Sequence, residues 1–236
     1  MFNGKNKALT FSYDDGVTQD KRLIEIFNKY GLKATFNLNS ELLGLDGELI
    51  RNDVRITHIK NKPEDIKYIY DGHEVAVHTL THPNLTNISD DNEVLRQVEQ
   101  DRLNLSELVR YEVKGMAYPC GGINCDDRVA RIIKENTPIR YARTVDVTYS
   151  FSPYSDNYQY KGTLYHHEDW DKLFSMGQKF LDLKTDTPQV FYIWVHAYEF
   201  DIYPERWEKF EEFCAMMSGK DDIFYGTNLE VLGRSV

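Results

Sequence analysis

Short β-branched and aromatic runs recur between helix-period patterns along the whole chain. Seven such runs read as strands, at residues 7–13, 33–39, 73–79, 113–119, 139–145, 190–197 and 223–227. The helical patterns between them have recognisable ends. One spans residues 20–30, with Thr18 as a cap and Gly31 just past its end, and a second starts with Pro63 in its first turn and stops at Gly72. The longest follows Ser89 as N-cap, carries Val94, Leu95, Val98, Leu103, Leu105 and Leu108 on one broad face, and runs to about Tyr111. Asp126 caps a fourth helix ending near Asn136, and two more cover residues 170–183 and 204–218. A parallel crossover needs a helix-length connection, so this alternation predicts an α/β fold with a barrel-like parallel sheet. Residues 146–162 break the alternation with tyrosines, Phe151 and Pro153 among polar residues, and read as an irregular excursion over one face. No internal repeat or Pro/Gly/Ser linker interrupts the 236 residues, so residues 1–236 are expected to form a single domain.

Composition narrows the function classes. The 41% hydrophobic and 28% charged residues are ordinary globular usage, which excludes disorder and a disulfide scaffold. With 28 Lys and Arg against 38 Asp and Glu, the formal net charge is −10, which lacks the footprint for phosphate backbones. No nucleic-acid partner is expected. Three cysteines, an odd number, and no apolar leader-like stretch after Met1 lead to the expectation of a cytoplasmic protein. The most apolar stretch, residues 191–195, is far short of the ~20 residues that span a bilayer, so no membrane partner is expected. Oligomeric state is left open.

In parallel α/β folds the chemistry gathers where strands end. Here Asp14, Asp15 and Gly16 follow the first strand, and His78 ends the third with His82 four residues on. Pro119, Cys120, Gly121 and Gly122 end the fourth, and His196, followed by Glu199, ends the sixth. Spacing of i, i+4 puts two imidazoles on one side of a helical turn, a usual way to offer two nitrogens to a metal. Adjacent carboxylates are costly unless a cation or proton relieves them. Histidines at this spacing also occur on solvated helix faces, and an Asp pair before glycine also makes an ordinary turn. Coincidence at two strand ends favours a site.

These residues carry a family resemblance. Thr10-Phe11-Ser12-Tyr13-Asp14-Asp15-Gly16 is similar to the first motif, T-F-D-D-G, of the NodB-type polysaccharide deacetylases, carbohydrate esterase family four. His78-Thr79-Leu80-Thr81-His82-Pro83 resembles the second, H-S/T-x-x-H-P; Tyr118-Pro119-Cys120-Gly121 resembles part of the third, R-x-P-x-G, and Trp194-Val195-His196 the fifth, L-x-H. The resemblance implies a distorted (β/α) barrel of about seven parallel strands (the NodB homology domain). It also implies a metal-dependent hydrolase that removes acetyl groups from N-acetylated sugars or polysaccharides. One divalent metal, zinc first with cobalt, manganese or nickel open, would be held by Asp15, His78 and His82. Asp14 would be the general base, His196 the general acid, and the backbone N–H of Cys120 an oxyanion donor. Tyr118, Pro119 and Trp194 would shape the substrate pocket.

The departures are specific. Ser12-Tyr13 lengthens the first motif, and Ala117 stands where the third has the Arg that holds the base carboxylate. Arg143, near the end of the fifth strand, is a candidate to reach Asp14 instead, the alternative being a surface ion pair. Asp146 and Asp169-Trp170 are alternative remnants of an Asp-containing fourth motif, and Trp194 replaces a Leu. His166 and His167 read as capping or surface residues rather than pocket, and His58 and His73 as structural. Cys120 and Cys125 complete no zinc motif, and Cys214 reads as core. Competing readings are a small-molecule or cyclic amide hydrolase of the imidase or allantoinase kind, an O-acetyl esterase, and an inactive carbohydrate-binding homologue.

Overall fold

The computed structural model describes residues 2–166 and 169–233. Its strands are β1 (Lys7–Asp14), β2 (Ala34–Leu38), β3 (Glu48–Arg51), β4 (Val54–Thr57), β5 (Glu74–Val77), β6 (Gly115–Ala117), β7 (Tyr141–Val147), β8 (Tyr160–Gly162), β9 (Leu164–Tyr165), β10 (Gln189–His196) and β11 (Ile223–Tyr225). The helices are α1 (Asp20–Tyr30), α2 (Ile66–Ile69), α3 (Asp91–Val109), α4 (Asp127–Asn136), α5 (Trp170–Asp182), α6 (Glu205–Met217) and α7 (Asn228–Leu232). The main sheet is parallel throughout, in the order β8-β7-β6-β5-β2-β1-β10-β9, with β11 beside the first half of β1. Residues 160–165 close it: β8 pairs with β7, β9 pairs with β10, and between them the Thr163 N–H donates to Tyr192 O at 2.8 Å. The excursion expected over residues 146–162 thus ends in a strand. Strands of three and two residues are too short to show a period.

Strands β3 and β4 and the helix α7 lie outside the predicted set, and α2 is shorter than expected. The antiparallel hairpin β3–β4 is inserted between β2 and α2. Pro63 opens a single 3-10 turn, and α2 stops at Ile69, short of Gly72. The small helix α7 carries a Thr227–Glu230 capping box, a signal present in the sequence as T-x-x-E. Two caps differ from expectation. Gln19 rather than Thr18 precedes α1, with no side-chain cap, while the Thr18 N–H donates to Ile59 O at 2.8 Å, and Asp90 rather than Ser89 caps α3 by accepting from Asn92 N. Leu103 of the expected apolar face is 47% exposed.

Alternation along β1 sorts the core. Leu9, Phe11 and Tyr13 pack into the sheet–helix core, while Ala8, Thr10, Ser12 and Asp14 point into the barrel. One end of the barrel is plugged by α7. Asn228 donates to Thr10 Oγ1 at 2.7 Å and accepts from the Tyr192 hydroxyl at 2.7 Å, and Leu229 N donates to Glu74 Oε2 at 2.9 Å. The C-terminal strand ends at the opposite side are left to build a cleft.

Candidate active site

Asp14 is the last residue of β1 and stands in register between Asn37 of β2 and His196 of β10. Asp15 follows at φ 85°, with its N–H on Asn37 O at 3.0 Å. Gly16 completes the turn at φ 64°, where an added Cβ would stand 2.6 Å from Leu38 Cδ2, so only glycine fits. His78 follows β5, and its Nδ1 lies 2.8 Å from Ala117 O; a carbonyl only accepts, so Nδ1 carries the proton and Nε2 is the ring's acceptor. The expected helical turn between His78 and His82 is absent. Thr79 and His82 instead adopt left-handed backbone, φ 68° and 61°, in a loop that Gln97 of α3 holds through Leu80 N and Thr81 N. The loop still brings the two rings to 4.9 Å. One ligand atom each from Asp15, His78 and His82 lies within 4.8 Å of the others.

Protonation states suit a cation. Burial pushes His78 down to about 4 and also lowers His82, so both rings are neutral at pH 7. Burial works to raise Asp15, but the His58 hydrogen bond and the Lys60 charge outweigh it and hold the carboxyl well below its usual range. One carboxylate and two neutral imidazoles are the deprotonated donors a divalent metal requires.

Beside this triad sits a buried ion pair. Arg143 Nη2 lies 2.6 and 2.5 Å from the two oxygens of Asp14, and its guanidinium stacks 4.3 Å from the Trp194 ring centroid. Asn37 Nδ2 donates to Asp14 Oδ1 at 2.7 Å. Burial alone would raise the Asp14 pKa; the Arg143 charge, with His78 and His196, brings it below the ordinary value. His196 Nε2 is 4.0 Å from Asp14 Oδ2, while its Nδ1 meets Glu199 Oε1 at 2.8 Å, and Tyr165 OH donates to the same oxygen at 2.7 Å. Burial disfavours the imidazolium, but the Glu199 hydrogen bond and charge dominate and push His196 up to about 9.

These groups line a cleft of about 790 Å³. Tyr118, Trp194 and Cys120 line it, the last at φ 67°, whereas Pro119 is buried and does not. One wall is the β3–β4 insertion, contributing Leu45, Leu49, Arg51 and His58. His58 therefore departs from its structural reading: its Nε2 stands 3.2 Å from Asp15 Oδ2. His73 is structural, accepting from Ala34 N at 3.2 Å. His166 is buried and stacks on Phe210 at 5.3 Å, not a surface cap, and His167 lies outside the described residues. Asp146 pairs with Lys161 at 2.9 Å and Asp169 caps α5, both away from the cleft. Sequence reasoning also passed over Asp101 of α3. It accepts from Ser40 N at 2.7 Å and His78 N at 3.2 Å, and burial pushes it up to about 7. Its signal was available, since Gln97 and Asp101 lie at i, i+4 on the same buried stripe as Val94, Val98 and Leu105.

Residues 3–139 match the family model described as polysaccharide deacetylase, and the chain belongs to that family. Its members are in general metal-dependent hydrolases, with pseudoenzymes among them. The structure is similar to the peptidoglycan deacetylase PdaC from Bacillus subtilis, at a TM-score of 0.57 and 16% identity over 96% of this chain and 90% of that one. It is also similar to a family 4 carbohydrate esterase from Streptomyces lividans in complex with acetate, at 0.57 and 16% over 99% and 97%. A third likeness is to a mutant of BA3943, a pseudoenzyme of the same family with restored enzymatic activity, at 0.60 and 17% over 96% and 68%. At these identities the likenesses establish the fold. No curated protein matches the sequence.

Proposed function

We propose that this protein hydrolyses the acetamide of N-acetylated sugar units in a glycan, with one divalent metal, zinc first, held by Asp15, His78 and His82. The observation that carries this reading is the convergence of those three donors within 4.8 Å beside the buried Asp14–Arg143 pair. A metal bound there supplies a Lewis acid that polarises the acetamide carbonyl and acidifies water. Asp14, kept ionised by Arg143, receives the proton of the attacking water. His196, charged at neutral pH through Glu199, gives its proton to the departing amine. The Cys120 backbone N–H is the oxyanion donor, and Trp194 and Tyr118 bound the acyl pocket. The test is acetate release from N-acetylglucosamine oligomers, which is expected to vanish on chelation and return with Zn²⁺ or Co²⁺. Metal bound without any acetate release would reject the acetamide reaction.

The His196–Glu199 pair sets a pH dependence. An acid with a pKa of about 9 is protonated below that value and loses its proton as pH rises through it. Removing the carboxylate takes away the largest groups that favour the imidazolium, leaving the charges of Asp15 and Asp14 against burial, which favours the neutral ring. Glu199→Gln is therefore expected to move the alkaline limb of kcat/KM to lower pH, toward or below the ordinary imidazole value of about 6.5. An unmoved limb would remove Glu199 from the proton relay.

A further inference from the structure

We infer that His58, delivered by the β3–β4 insertion, is a positioning residue for the metal ligand Asp15, one that fixes which carboxylate oxygen faces the histidine pair. This rests on the metal reading above. A carboxylate only accepts, so the 3.2 Å contact between His58 Nε2 and Asp15 Oδ2 places a proton on Nε2. That engages one oxygen. The other, Oδ1, lies 3.7 Å from His82 Nε2 and 3.3 Å from Lys60 Nζ. The stretch carrying His58 is pinned at several points. His58 N donates to Gly47 O at 2.7 Å, Lys60 N to Leu45 O at 2.9 Å, Thr18 N to Ile59 O at 2.8 Å, and Asn61 N to Gly16 O at 2.9 Å. At Gly47 a Cβ would come within 3.0 Å of His58 O, so the insertion also closes tightly on itself. Tyr198 meets the His58 ring edge-on at 5.0 Å, and on its other side stacks with His196 at 5.0 Å. Asp15 itself sits on a left-handed backbone, which does not by itself hold the carboxyl at one rotation. Lys60 restrains Oδ1, and His58 restrains Oδ2 from a chain segment 43 residues away. Partners of this kind set ligand orientation and metal affinity.

The experiment is metal titration of the full chain, with Co²⁺ followed by its visible absorption and Zn²⁺ by competition with a chromophoric chelator. Three variants are compared: His58→Ala, His58→Phe, which keeps a ring against Tyr198 but has no donor, and His58→Gln, which restores a donor. Ala and Phe are expected to weaken binding by about 10- to 100-fold and to alter the Co²⁺ spectrum, with Gln recovering most of both. Melting of the metal-free variants reports whether the fold is retained. Phe or Ala binding as tightly as the parent, with an unchanged spectrum, overturns the proposal while leaving the Asp15, His78 and His82 site intact. A parent protein that binds neither metal overturns both.

Discussion

Arg143→Ala is expected to destabilise the protein by about 3–5 kcal/mol, the usual cost of stranding one half of a buried ion pair. For a chain of this size that corresponds to roughly 6–20 °C in melting temperature. The guanidinium is fully buried and both oxygens of Asp14 rest on it, so its removal leaves a buried carboxylate without its cation. Burial is then opposed only by the charges of His78 and His196 and by the Asn37 amide, so the Asp14 pKa rises and its capacity as a base falls. Turnover is expected to fall by about 10²- to 10⁴-fold, the usual contribution of a positioned proton acceptor. Lysine does not rescue it, because a point charge does not reproduce the guanidinium geometry or its stacking on Trp194. The double variant Asp14→Asn with Arg143→Met separates the two consequences: stability returns toward the parent while activity stays lost. Chemical denaturation and acetate release on the three proteins test this. A single Arg143→Ala variant that melts like the parent and turns over normally would dismiss the pair as both a structural and a chemical feature.

The second large effect concerns Asp15. Asp15→Ala is expected to abolish metal binding and with it turnover, because the carboxylate is the sole anion among the three donors. Thermal shift gives a readout independent of catalysis. At metal concentrations about 100 times Kd, the parent gains about 2.7 kcal/mol from mass action, roughly 5–10 °C, and the variant gains nothing. The metal-free variant also loses a partner for the buried Lys60 ammonium, so its own melting temperature is expected to drop. A metal-induced shift that survives in Asp15→Ala would place the cation elsewhere.

What the sequence made legible was what is local. Asp14, Asp15 and His78 stand directly at strand ends, with His82 four residues on, and β1, β5 and the body of α1 follow from period; α1 and α4 end where Gly31 and Asn136 indicate. Arg143 could be proposed because two-residue periodicity and a neighbouring strand suffice to bring it near. His58 could not. Its partner is 43 residues away, and the contact depends on a hairpin whose strands are four residues each. Asn37 is intermediate, since it lies two residues after Thr35 on the inward face of β2, but only the register with β1 puts its amide on Asp14. The spacing of His78 and His82 pointed to two rings that do come together, but for the wrong local reason: left-handed loop backbone, not a helical turn, brings them to one place.

The pairing of β1 with β10, which sets Asp14 beside His196, has an evolutionary side. Asp14, Asp15, His78 and His82 all belong to the first 82 residues, while Arg143, His196 and Glu199 come from the last hundred or so. The two groups meet where β1 lies beside β10 and where Arg143 reaches Asp14. Drift confined to the second half could therefore silence proton handling and leave the cation cradle standing, so inheritance of the triad alone is a poor marker of a living enzyme.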